Sequence, residues 1–128
     1  MRTSVKFTIG GQVVEADFAD TPAARALVEA MPYSTSGNYW GAEFYFKMPV
    51  KLKADATARE VVEPGAVAFW VEGSCLCLFW GPTPVSRGGE CRAASDVNVV
   101  GRVRNREVLS QLQGRDVTVE TIEEGERK

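Results

Sequence analysis

The segment CLCLFWGPTP, residues 75–84, constrains the fold of this chain more than any other stretch of it. Its first six residues are apolar and favour a β-strand, but the glycine and two prolines that follow cannot continue a regular ladder. The strand therefore ends in a rigid elbow, Pro82-Thr83-Pro84, which turns the chain away. This elbow is either a simple rigid connector or a device that presents the hydroxyls of Thr83 and Ser86 at the rim of a surface.

Short strands separated by turns account for most of the sequence. Apolar alternation bounded by turn signals predicts eight strands, over residues 3–9, 12–17, 39–46, 50–53, 66–71, 75–80, 97–104 and 116–123. Loops are predicted over residues 36–38, 53–60 and 86–94. The pattern is that of a mainly β protein, a closed or nearly closed eight-stranded β-barrel, since closure removes exposed strand edges.

Helical structure is predicted at two places only. Thr21 suits the N-cap of a short helix that begins at Pro22 and stops before Pro32, and a helical turn is predicted over residues 107–112. One or two short helices should therefore flank the barrel. We predict a single barrel domain over residues 1–123 and a charged tail over residues 124–128.

Composition excludes several classes of function. With 15 basic and 17 acidic side chains and a net charge of -2, the chain offers no basic field for nucleic acid. No apolar run approaches the roughly 20 residues of a membrane helix, and no signal-peptide core is present, so we expect a cytoplasmic protein without a membrane partner. The absence of histidine excludes Ser-His-Asp and Cys-His catalysis within this chain.

The three cysteines point to structural roles. Their number and the lack of a CxxC pair argue against a disulfide scaffold and against a zinc site. Cys75 and Cys77 share one face of a strand, which favours positions in the barrel wall. Cys91 falls in the predicted 86–94 loop, so we expect it to react first with a thiol reagent. We predict neither a metal nor a cofactor.

The segment YWGAEFYF, residues 39–46, alternates between two faces of its predicted strand. The core face is expected to carry Trp40, Ala42, Phe44 and Phe46. The outer face is expected to carry Gly41, Glu43 and Tyr45.

The turn at Glu72-Gly73 decides which side chains of the next hairpin face the core. A two-residue loop pairs Trp70 with Cys75, whereas a three-residue loop pairs Phe69 with Cys77. We favour the first register, because it gives a core face of large residues only: Val67, Phe69, Leu76 and Leu78. The outer face then combines small residues with aromatic ones: Ala66, Ala68, Trp70, Cys75, Cys77 and Phe79.

An outer apolar face of this kind marks a ligand groove, a partner interface, or a surface covered by another part of the chain. The helix and the 86–94 loop are the two candidates for such a cover. A groove would be formed by six side chains: Glu43, Tyr45, Trp70, Phe79, Thr83 and Ser86. Glu43 is either a carboxyl whose pKa is raised by apolar neighbours or an ordinary exposed glutamate. The groove should prefer ligands with a hydrogen-bond donor or a cation beside an apolar body.

Four segments, in this order and spacing, carry a resemblance to a known family: YWGAEFYFKMPV, EVVEPGAVAFW, CLCLFWGPTPVS and AASDVNVVGRV. Together they resemble a family of small prokaryotic cyclophilin-like proteins, over about residues 5–119. The resemblance implies the cyclophilin fold, an eight-stranded barrel closed by helices. The family is largely uncharacterised, so the resemblance implies little biochemistry.

Classical cyclophilins are prolyl cis/trans isomerases, and their groove lies on the outer face of the barrel. Their catalysis uses a guanidinium group, whose arginine stands shortly before a Phe-Met-x-Gln-Gly-Gly-Asp run. That motif is absent here, and neither Lys51, Lys53 nor Arg59 stands in one. We therefore predict a protein that binds a small molecule or an extended peptide in an outer groove. The alternatives are a weak prolyl isomerase and a structural module whose apolar face forms a homo-oligomer.

Overall fold

A computed structural model describes residues 2–122. Its strands are β1 (Thr3–Ile9), β2 (Gln12–Phe18), β3 (Tyr33–Tyr39), β4 (Glu43–Lys47), β5 (Arg59–Val62), β6 (Ala66–Trp70), β7 (Cys75–Phe79), β8 (Cys91–Val103) and β9 (Asp116–Thr121). The helices are α1 (Pro22–Glu29) and a 3₁₀ helix over Arg106–Gln111. The predicted tail, residues 124–128, and the end of the predicted last strand lie outside the described residues.

Eight of these strands close into a ring. Along the sheet the order is β2-β1-β9-β3-β4-β7-β6-β8, and pairing of β8 with β2 completes the circle. The remaining strand, β5, lies outside the ring and pairs only with β8 among the described strands. The predicted mainly β architecture with eight strands in a closed arrangement is confirmed.

The interior of the ring is filled by side chains from every second position of its strands. Phe7 of β1 meets Phe46 of β4 edge-to-face, with ring centroids 6.1 Å apart. Helix α1 adds Leu27, which is fully buried, and Thr21 caps it as predicted by accepting the amide of Ala24 at 3.1 Å. The helix therefore packs its apolar side on the barrel core.

The favoured register of the β6–β7 hairpin is confirmed. Trp70 lies opposite Cys75, and the chain reverses through residues 71–74. The predicted core residues point into the ring, in the main apolar cluster: Val67, Phe69, Leu76 and Leu78. The predicted outer residues belong to a second apolar cluster, which lies on the other side of the wall.

The interpretation of residues 39–46 as one strand is wrong. Gly41 and Ala42 form a two-residue turn between β3 and β4, with Gly41 at φ +62 and the amide of Trp40 donating to the carbonyl of Glu43 at 2.9 Å. A glycine at the first central position of a two-residue hairpin is the type II′ pattern. The predicted loop over 36–38 is instead part of β3, whose sequence YSTSGNY lacks the apolar alternation that would have indicated a strand.

Two further predictions about local structure need correction. Residues 50–53 form no strand; Asn98 instead holds the neighbouring backbone, accepting the amide of Asp55 and donating to the carbonyl of Lys53, each at 2.9 Å. The predicted 86–94 loop ends early, because β8 begins at Cys91 and runs through to Val103. The first half of β8 pairs with β5, a strand that begins within the predicted 53–60 loop.

Candidate functional site

The second apolar cluster shows what covers the outer face of β6 and β7. It joins side chains of that face, such as Ala68 and Phe79, to others from β5 and the first half of β8: Val62, Cys91, Ala93 and Val97. We call β5 and residues 91–97 of β8 the outer cover. Of the two predicted candidates, the helix belongs to the main core, and residues 91–94 of the predicted loop belong to the cover as a strand.

Polar contacts attach the outer cover to the rest of the fold. Arg92 pairs with Glu60 of β5 at 2.9 Å, which ties the two strands of the cover together. The hydroxyl of Thr83 donates to the carbonyl of Arg92, and that of Ser86 donates to the carbonyl of Glu90 at 2.7 Å. The elbow at residues 82–84 therefore anchors the start of β8.

A cavity of about 210 Å³ remains between the outer cover and β4. On the barrel side it is lined by Trp40, Glu43, Tyr45 and Trp70. On the cover side it is lined by Ala93, Ala94 and Val97. Three aromatic rings and one carboxyl thus face three small or apolar side chains, which is the composition expected of a small-ligand site.

Glu43 is the polar centre of this cavity. It is 5% exposed, and its Oε1 atom is buried without a hydrogen-bond partner among the described residues. Burial raises the pKa of the Glu43 carboxyl to about 7, and the nearby Cys77 thiol opposes this shift. A buried carboxyl oxygen without a partner costs folding free energy unless something else supplies a donor.

The indole of Trp70 is held in place from two sides. Its Nε1 donates to the Ser95 hydroxyl at 2.7 Å, and that hydroxyl donates to Glu72 at 3.0 Å. A Cβ atom on Gly73 would lie 2.2 Å from two carbons of the ring, so the indole packs directly on this glycine. The wall that Trp70 contributes is therefore rigid.

Trp40 is a cavity residue that the sequence pattern missed. Alternation across residues 39–46 predicts it on the core face, but the two-residue turn places it opposite Glu43 and thus on the same side of the hairpin. The elbow fixes this turn, because the amide of Ala42 donates to the carbonyl of Pro82 at 2.8 Å. A glycine inside a strand pattern, here Gly41, was the signal for a turn.

The structure brings together three of the six predicted site residues, Glu43, Tyr45 and Trp70, at one cavity. Phe79 is fully buried, lies opposite Glu43 in the ladder and packs in the second apolar cluster. Thr83 and Ser86 use their hydroxyls within the loop and on the cover, so the expectation that they are presented at a rim is wrong.

The burial of all three cysteines contradicts the prediction about thiol reactivity. Cys91 is 1% exposed, as is Cys77, while Cys75 is 7% exposed, and burial raises the pKa of all three thiols. The expectation that Cys91 reacts first rested on a predicted loop, but this segment is a buried strand.

We now expect each native thiol to react with a thiol reagent roughly a hundredfold more slowly than in denaturant, with Cys75 first. Peptide mapping after brief labelling checks the order, and preferential labelling of Cys91 would contradict it.

Within residues 2–122 the structure offers neither a metal-binding cluster nor a membrane-spanning helix. No cluster of three or more acidic or cysteine side chains is placed to hold a metal ion within this range. No helix in the same range is long and apolar enough to cross a membrane.

Comparison with known proteins identifies the family. The family model described as Cyclophilin-like matches residues 3–120. The solution structure of the hypothetical protein AF2241 from Archaeoglobus fulgidus is similar, with 32% identity and a TM-score of 0.79 over 94% of this chain and 95% of that one. No curated protein matches. The chain belongs to the cyclophilin-like family.

Proposed function

We propose that this protein binds a small organic molecule in the cavity between β4 and the outer cover. The observation that carries the proposal is the Glu43 carboxyl, which lines a space walled by aromatic rings and whose buried Oε1 atom has no hydrogen-bond partner among the described residues. A ligand that donates a hydrogen bond to this carboxyl would offset the cost of burying it, and an apolar body would pack on the rings.

A small molecule fits this space better than an extended peptide does. The cavity of about 210 Å³ is smaller than the roughly 300–1,000 Å³ of pockets that take drug-sized ligands. The outer face of β6 and β7, where an extended peptide would lie, is occupied by the chain's own β5 and β8. The proposed ligand is therefore compact.

The two alternatives gain less support. A weak prolyl isomerase remains a hypothesis, but the residues that line the cavity include no arginine to contact a prolyl amide. A homo-oligomer also remains a hypothesis; however, the apolar face that motivated it is covered within the chain. Large exposed apolar side chains lie on separate elements, for example Val13 on β2 and Val61 on β5.

A fragment screen tests the proposal. In a protein-observed NMR screen of compact fragments, we expect hits that shift the indole signal of Trp70 and the amides of β4. Trp70→Ala should weaken such hits by at least about tenfold, because an aromatic wall of the cavity is lost. Val85→Ala is the control, since Val85 is 44% exposed and does not line the cavity. A diverse library without a single hit at these residues would refute the proposal.

A further inference from the structure

The ionisable side chains that line the cavity can carry negative charge only. Among the residues that line it, Glu43 is the one carboxyl and Tyr45 the one other ionisable group, and lysine and arginine are absent from the lining. The outer cover contributes only Ala93, Ala94 and Val97 to the lining. The described residues therefore supply an anion-forming group and aromatic rings to this space without a cation to match them.

We propose that the ligand of this cavity is a protonated amine, a primary or secondary ammonium group on a small apolar body. This inference rests on the proposed function and specifies the ligand class. An ammonium N–H can donate to the Glu43 carboxyl in a charge-assisted hydrogen bond, while the cation lies against the rings of Trp40, Tyr45 and Trp70. The three rings and the carboxyl thus recognise the same group.

Two other ligand classes satisfy the site less well. A quaternary ammonium group can lie on the rings, but it has no N–H to donate to the Glu43 carboxyl. A neutral alcohol can donate to this carboxyl, but it does not compensate a buried negative charge. The Glu43 carboxyl therefore favours an ammonium group that retains at least one proton.

Binding of an ammonium group also displaces a proton from Glu43. Burial raises the pKa of this carboxyl to about 7, so in the empty cavity it is largely protonated below neutral pH. The titratable groups beside it are Tyr45 on its own strand and Cys77 and Cys75 on β7, whose thiols have raised pKa values and stay neutral. Lys47 lies at the far end of β4, opposite Cys75.

The direction of the pH effect follows from these groups. A simple alkylamine, with a pKa near ~10, stays protonated between pH 6 and 8, whereas ionisation of Glu43 rises across this range. The affinity for an amine should therefore increase about tenfold from pH 6 to pH 8. A ligand that accepts a hydrogen bond from the protonated carboxyl would show the opposite trend.

Calorimetry with three matched probes tests the inference: phenethylamine, its N,N,N-trimethyl derivative and 2-phenylethanol. We expect phenethylamine to bind about tenfold or more tightly than either analogue at pH 8, since its hydrogen bond to an ionised group is lost in both. Titration at pH 6 in two buffers of different ionisation enthalpy should show release of nearly one proton. Glu43→Gln should remove the preference for the amine, and Val85→Ala should retain it.

Several results of these titrations would overturn the inference. Equal or tighter binding of the alcohol or the trimethyl derivative, or an affinity for the amine that falls as pH rises, would contradict an ammonium ligand. Failure of all three probes also contradicts it. Hits from the neutral part of the fragment library at Trp70 would then leave the proposed binding function standing, so the two failures are distinguishable. Thermal unfolding of each variant confirms that it is folded.

Discussion

Glu43→Gln is expected to raise the free energy of unfolding at pH 8 by up to about 3 kcal/mol and to change it little at pH 4. Burial raises the pKa of the Glu43 carboxyl from 4.5 to about 7 in the folded protein. Between these two values the folded state holds a proton that the unfolded state has released. The stability contributed by this proton is complete below pH 4.5 and is lost as the pH rises through 7. Glutamine is neutral at every pH, so the variant avoids this loss.

Urea unfolding of both proteins at pH 4, 6 and 8 measures the difference. Other carboxyls titrate as well, and a hydrogen bond from Arg92 lowers the pKa of Glu90, but these contributions cancel between wild type and variant. Glu63→Gln is the matched control, because Glu63 is exposed and its pair with Arg102 at 3.2 Å is a surface contact worth at most about 1 kcal/mol. A difference for Glu43→Gln that stays constant with pH would show that this carboxyl is not perturbed in the fold.

Much of the barrel was predictable because its strands obey simple rules. The β6–β7 hairpin has large side chains on alternate positions, and only one register directs all of Val67, Phe69, Leu76 and Leu78 inward. The same alternation places Glu43 and Tyr45 outside, and the register places Trp70 outside as well. Half of the predicted site residues therefore line the cavity.

The rest depends on contacts that local patterns do not reveal. β3 is a polar strand between β4 and β9, and the ladder that surrounds it stabilises it without an apolar face of its own. The first half of β8 is a strand because β5 pairs with it and because both cover an apolar surface formed by other strands. The roles of Thr83 and Ser86 also depend on this non-local arrangement, since their hydroxyls donate to backbone carbonyls where β8 begins. Such non-local pairings override weak local preferences.

The turn that carries Trp40 and Glu43 is the most sensitive point of the site to substitution. Gly41 has φ +62, and a Cβ atom there would lie 2.8 Å from both the carbonyl oxygen of Pro82 and the Cα of Thr83. Gly41→Ala therefore adds a backbone clash to the cost of a left-handed conformation. We expect it to lower the free energy of unfolding by roughly 2–5 kcal/mol, the sum of about 1–2 for the conformation and 1–3 for overpacking.

Gly88→Ala separates these two costs. Gly88 has nearly the same φ, +69, but nothing lies within 4 Å of the position where its Cβ would be. Its substitution should cost only the conformational part, about 1–2 kcal/mol, and should leave the cavity intact. Gly41→Ala should in addition weaken fragments at Trp70 and β4 by about tenfold or more, because the clash moves the elbow and the turn that position Trp40 and Glu43. Equal losses of stability in the two variants, with unchanged fragment binding in both, would mean that contact between the elbow and the turn does not hold the site together.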